Sequence, residues 1–96
     1  MSRASSLTRE RSRYYRILED VKRIQNRIFQ TSDNFQDALK IGEFFQIDES
    51  SADRNKIGNT KNKIADAGRE LNQAIREIED KIDELTERIR EAEDDD

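Results

Sequence analysis

A chain of 96 residues has room for one small domain, and at 32% apolar against 42% charged residues it lacks the apolar surface to fill a compact single core. It contains neither Cys nor His, which excludes disulfides, thiol chemistry, the usual zinc sites and histidine acid–base catalysis. The net charge of −4 is unevenly spread, with a basic stretch from Arg9 to Arg27 and an acidic one from Glu77 to Asp96.

Such a composition fits either disorder or long helices that bury a narrow stripe. A heptad pattern decides for helices. There is no Pro, and Gly42, Gly58 and Gly68 are the only glycines, so few breakers interrupt a long helix. No apolar run approaches the length of a membrane span or a signal-peptide core. The expected location is the cytoplasm, with export only in company with a client protein.

In chain order, Met1–Ser6 reads as a frayed start, and a first helix is expected over about 7–45. Leu7, Tyr14, Val21, Ile28, Phe35 and Gly42 recur every seventh residue. Ile17, Ile24, Thr31, Ala38 and Phe45 follow that series at +3, while Leu18 and Leu39 add a flank at +4. This broad stripe suits a helix packed in a bundle. Thr31-Ser32-Asp33-Asn34 is a polar interruption, and Asp33 with Gln36 offers a capping box. The heptad phase is unbroken across it, which predicts one helix, with a bend there left open.

A turn is expected over about 46–51, with Ser50 and Asp53 as a start signature for a second helix over about 52–91 and an acidic tail over 92–96. The second helix carries the strongest signal in the chain. Ile57, Ile64, Leu71, Ile78, Leu85 and Ala92 interleave at spacings of four and three with Lys61, Gly68, Ile75, Ile82 and Ile89, a coiled-coil seam that is weak before Leu71 and strong after it. Acid-before-base pairs at i, i+4 are expected between Glu77 and Lys81 and between Glu84 and Arg88.

The fold expected from these elements is an all-α, long antiparallel two-helix hairpin of one domain, completed by a partner or by self-association into a bundle. The short connection favours antiparallel neighbours, and that arrangement lays the basic start beside the acidic end. Leu71, Ile75, Ile78, Ile82, Leu85 and Ile89 are expected to hold the hairpin seam, opposed by Tyr14, Val21, Ile28 and Phe35. Phe29, Phe44, Phe45 and Asp48 are the candidate partner-binding residues.

No constellation points to catalysis, a cofactor, a metal or a small-molecule substrate. Carboxylates such as Asp80, Asp83, Glu84 and Glu87 lie on a helix that offers no water-excluding pocket, and the bundle-type di-iron site needs His. The segment Arg9–Arg16 superficially resembles a zipper basic region, but the strong seam lies elsewhere and Tyr14 falls on the core stripe, which disfavours nucleic acid. The basic amphipathic face over 7–28 lacks Trp and is matched by an acidic partner within the chain, which disfavours a membrane. An aromatic residue precedes an acid by four at Tyr15–Glu19, Phe29–Asp33 and Phe44–Asp48, spacing that puts both on one helix face.

The whole layout, and most closely the stretch from Leu71 to Ile89, resembles the small helical-hairpin partner proteins of LXG toxins in type VII secretion. These are relatives of the WxG-type proteins, and within them the YwqH-like group is most similar. The chain departs from that family in lacking the mid-chain Trp-x-Gly and a terminal Tyr-x-x-x-Asp/Glu signal. The resemblance implies a targeting partner or chaperone that binds a helical segment of a larger secreted protein and helps present it for export. The alternatives are a self-associating coiled-coil scaffold and a small nucleic-acid-binding regulator.

Overall fold

A computed structural model describes residues 2–44 and 52–95, with side chains over 2–41 and 54–95. The chain is an all-α antiparallel hairpin of two long helices, α1 (Arg3–Phe44, 42 residues) and α2 (Ala52–Asp95, 44 residues). At 1.5 Å per residue each is on the order of 60 Å long. The turn expected over 46–51, together with Phe45, Asp48 and the side chain of Phe44, lies outside the described residues.

Helix α1 starts earlier than expected. Ser2 is its cap: the Ser5 N–H donates to Ser2 Oγ at 3.1 Å, and the Ser6 N–H donates to the Ser2 carbonyl at 3.2 Å. A capping hydroxyl satisfies a donor that would otherwise be orphaned, so Ser2–Ser6 is not simply a frayed lead-in. Across Thr31–Asn34 the helix is continuous. Thr31 Oγ1 donates back to the Arg27 carbonyl at 2.9 Å, and the side chains there serve the existing helix rather than starting a new one.

The contacts divide into two compact units. The terminal unit joins Met1–Arg23 to Asn72–Asp96, and the central unit is Ile24–Leu71. In the terminal unit the start of α1 meets the end of α2. Leu7, Leu85, Ile89 and Ala92 form its core, with Ala4 and Tyr14 packed against them. One turn further along α1, Arg11 Nη1 donates to Thr86 Oγ1 at 3.1 Å, so advancing along α1 retreats along α2.

Ala92 also corrects the end of α2. It is the last seam position and is 1% exposed, and the helix runs on to Asp95 instead of fraying after Glu91. No basic residue lies in the last turn. The packing of Ala92 therefore outweighs the repulsion between the acidic tail and the helix dipole, which is worth roughly 0.3–1 kcal/mol when exposed.

In the central unit the helices approach at Gly68, which is buried beneath Ile28 and Phe29. Gln25 Nε2 donates to the Gly68 carbonyl at 2.9 Å. Among the described residues every buried large apolar side chain belongs to the terminal unit: Leu7, Ile75, Ile82, Leu85 and Ile89. In the central unit Ile28, Phe35, Ile57, Ile64 and Leu71 are only half-buried, as the graded seam of the second helix leads one to expect.

The ion pairs Asp20–Arg23 (3.3 Å), Asp66–Arg69, Glu84–Lys81 (3.4 Å), Glu84–Arg88 (3.9 Å) and Glu87–Arg90 (3.4 Å) each lie within one helix. Glu84–Arg88 is an expected pair. Lys81, however, turns to Glu84 rather than Glu77, whose Oε1 accepts from Gln73 Nε2 at 3.2 Å.

Candidate interaction surface

Which side of each helix faces inward decides what remains for a partner. On α2 the expected seam holds. Ile75, Ile82, Leu85 and Ile89 are buried, and Leu71 and Ile78 are half-buried. The positions bordering that seam in the terminal unit are Ala74, Lys81 and Arg88, all half-buried, on one side, and Asn72, Glu79, Thr86 and Glu93 on the other, of which only Thr86 is half-buried. This is the pattern of a two-stranded seam, with no large apolar residue along either border.

Helix α1 is different. Tyr14, Val21, Ile28 and Phe35 are half-buried, as expected of residues opposing the seam. Their inward companions, however, lie at +4 and not at +3. Arg11, Leu18, Gln25 and Leu39 are half-buried and Ser32 is buried, whereas Ile17, Ile24, Thr31 and Ala38 are exposed. The +3 series, read from apolarity as part of the core stripe, therefore points outward.

Two features favour this rotation of α1. First, the polar residues it turns inward find partners there: Arg11 reaches Thr86, and Gln25 reaches the Gly68 carbonyl. Thr86 Oγ1 in turn donates to the Ile82 carbonyl at 2.9 Å. Second, the rotation brings Phe29 over Gly68, where the absence of a side chain leaves space for the ring. Phe29, expected on the partner-binding face, is thus half-buried within the hairpin.

Among the described residues the exposed large apolar side chains are Tyr15 (48%), Ile17 (45%), Ile24 (51%) and Ile41 (58%), all on α1. Tyr15 leans along α2 in a depression it shares with Leu18, Glu79, Ile82 and Asp83. Ile17 lines an open depression on α1 itself, with Ser6, Arg9, Glu10, Arg13 and Tyr14. In the central unit Ile24 borders a similar depression with Arg27, Ile28, Thr31 and Ile64. Sequence reasoning placed Ile17 and Ile24 in the core stripe and so missed them as surface. The signal was present in α2, whose flanks carry no large apolar residue for a broad α1 stripe to meet.

Among the described residues no three or more acidic side chains converge as a metal site, and no helix is long and apolar enough to cross a membrane. No protein-family model, curated protein or solved structure matches the chain.

Proposed function

We propose that this chain is a non-enzymatic protein-binding hairpin that takes a further helix against the outer edge of α1. The observation carrying this reading is an asymmetry in the terminal unit: α2 keeps its large apolar side chains inside the seam, whereas α1 leaves Ile17 half-uncovered in a depression at the surface. A helix whose apolar stripe is wider than its partner's is suited to a third neighbour. The client is then a helical segment of a larger protein. The resemblance to the hairpin partners of LXG toxins belongs to this same reading, with the hairpin meeting its client in the cytoplasm and shielding it before export.

Co-expression with the products of adjacent genes, followed by light scattering and far-UV circular dichroism, tests it. The expected result is a defined complex with one of them that is lost in Ile17→Asn, while the hairpin's own helicity is retained. A complex indifferent to Ile17→Asn, or a chain that forms a stable multimer alone and takes up none of these products, overturns the reading.

A further inference from the structure

The charge around Ile17 narrows the chemistry of the client. Arg13 stands four residues before Ile17 on the same helix face, Arg16 lies about 100° further round the helix, and Asp20, three residues after Ile17, is paired with Arg23. Arg9 and Arg13 line the same depression, in which Glu10 is the one acidic side chain. Among the described residues neither Arg13 nor Arg16 has an ion-pair partner. We propose that this edge docks an acidic amphipathic helix from another protein, whose apolar stripe covers Ile17 and whose flanking carboxylates face Arg13 and Arg16. The inference rests on the reading of the chain as a helix-binding hairpin and adds the charge class of what it binds.

Other occupants fit less well. A second copy has two surfaces to offer. Its own Ile17 edge would set arginines against arginines, and its α2 flanks carry charge with no exposed Ile or Leu. A bilayer needs a continuous apolar face, but in this unit the rest of the α1 stripe, including Leu7, Tyr14 and Leu18, is turned toward α2. Nucleic acid would use the arginines, but Tyr14 is packed against the core and is not held out to stack on bases, and an isoleucine at the centre of the patch has no phosphate to meet.

The test uses the full chain and two four-heptad peptides with Leu and Ile at seam positions, one with Glu and the other with Lys at every flanking position. Binding is followed by fluorescence anisotropy at two salt concentrations. The chain is expected to bind the Glu peptide in preference to the Lys peptide, and more weakly as salt rises. Ile17→Asn is expected to weaken that binding about tenfold with unchanged helicity, since it removes an apolar anchor that the hairpin itself leaves half-exposed. The double variant Arg13→Glu/Arg16→Glu is expected to transfer the preference to the Lys peptide.

Ile17-dependent binding of the Lys peptide equal to or tighter than that of the Glu peptide overturns the acidic client but leaves the helix-binding edge in place. Binding of neither peptide, or binding untouched by Ile17→Asn, overturns both. Tighter uptake of a duplex oligonucleotide or of phosphatidylserine vesicles than of the Glu peptide replaces the proposed occupant with that class.

Discussion

The ring of Phe29 lies over Gly68 so closely that a methyl group on Gly68 would stand 2.6 Å from Phe29 Cε1 and 3.0 Å from Cδ1. Ile28 Cγ2 would be a further 3.1 Å neighbour of that methyl group. The glycine in the seam is therefore a socket as well as a weak point in the heptad pattern. Gly68→Ala would gain helix propensity of about 1 kcal/mol, but it forces both Phe29 and Ile28 to move. Overpacking of this kind costs about 1–3 kcal/mol, so a net loss is expected in urea denaturation followed by circular dichroism. Gly68→Ala/Phe29→Leu should recover part of that loss. Additive losses in the double variant would mean that the two residues do not form a packing pair.

Gly58 provides the contrast. A methyl group there meets nothing within 4 Å, and the residue lies inside α2. Gly58→Ala should stabilise the chain by about 1 kcal/mol through propensity alone. A denaturation midpoint that fails to rise would show that the backbone at Gly58 departs from ordinary helix.

Much of this fold was legible because α2 states its seam twice, once in the apolar positions and again in the exposed charged residues of the opposite face, such as Arg76, Glu77, Asp83 and Glu84. Leu71–Ile89 therefore had one possible inward face. Helix α1 was ambiguous for a physical reason. Its apolar residues span more than one stripe, and choosing the stripe by apolarity alone selects Ile17 and Ile24 over Arg11, Gln25 and Ser32. A polar residue is not excluded from a seam when its donor has a local acceptor, and Thr86 and the Gly68 carbonyl supply two. Those acceptors belong to a helix distant in sequence, so no local pattern in α1 could reveal them. The exposed Ile17 edge was hidden by the same ambiguity.

The two kinds of apolar residue should differ sharply on truncation. Leu85 is fully buried in the core with Leu7, Ile89 and Ala92. Leu85→Ala is expected to cost about 3–5 kcal/mol, enough to unfold much of a hairpin this narrow. Ile17→Ala, at a residue 45% exposed, should cost less than about 1 kcal/mol. Thermal melts of the two variants check the assignment of inner and outer faces, and equal losses would contradict it.

Glu84 sits between Lys81 and Arg88 and pairs with both, at 3.4 and 3.9 Å. These groups are substantially exposed, so the pairs are screened by water and salt. Glu84→Gln should lower stability by less than about 1 kcal/mol, with the difference from wild type shrinking further in high salt. A larger loss in chemical denaturation would assign the surface charges a structural weight that their exposure does not support.

The bond between Gln25 and Gly68 separates stability from alignment. In a continuous α-helix the Gly68 carbonyl also accepts the N–H four residues on, so Gln25 uses its remaining lone pair. Removing the amide leaves the Gly68 carbonyl with its helical bond. Gln25→Leu puts an apolar side chain into a half-buried seam position and should hold or raise the denaturation midpoint, by up to about 1 kcal/mol. The leucine has no single preferred point of contact on α2, whereas the amide reaches one particular carbonyl. A polar residue in a largely apolar seam is a known way to fix helix register. Spin labels on the exposed residues Asn26 and Glu70 should therefore give one narrow distance distribution in the wild type and a broader one in Gln25→Leu. Gln25→Ala, which removes the bond without filling the space, should broaden the distribution and also lower stability by about 1 kcal/mol. If the leucine variant keeps the narrow distribution, register is set by Phe29 over Gly68, and the amide is a consequence of the alignment rather than its cause.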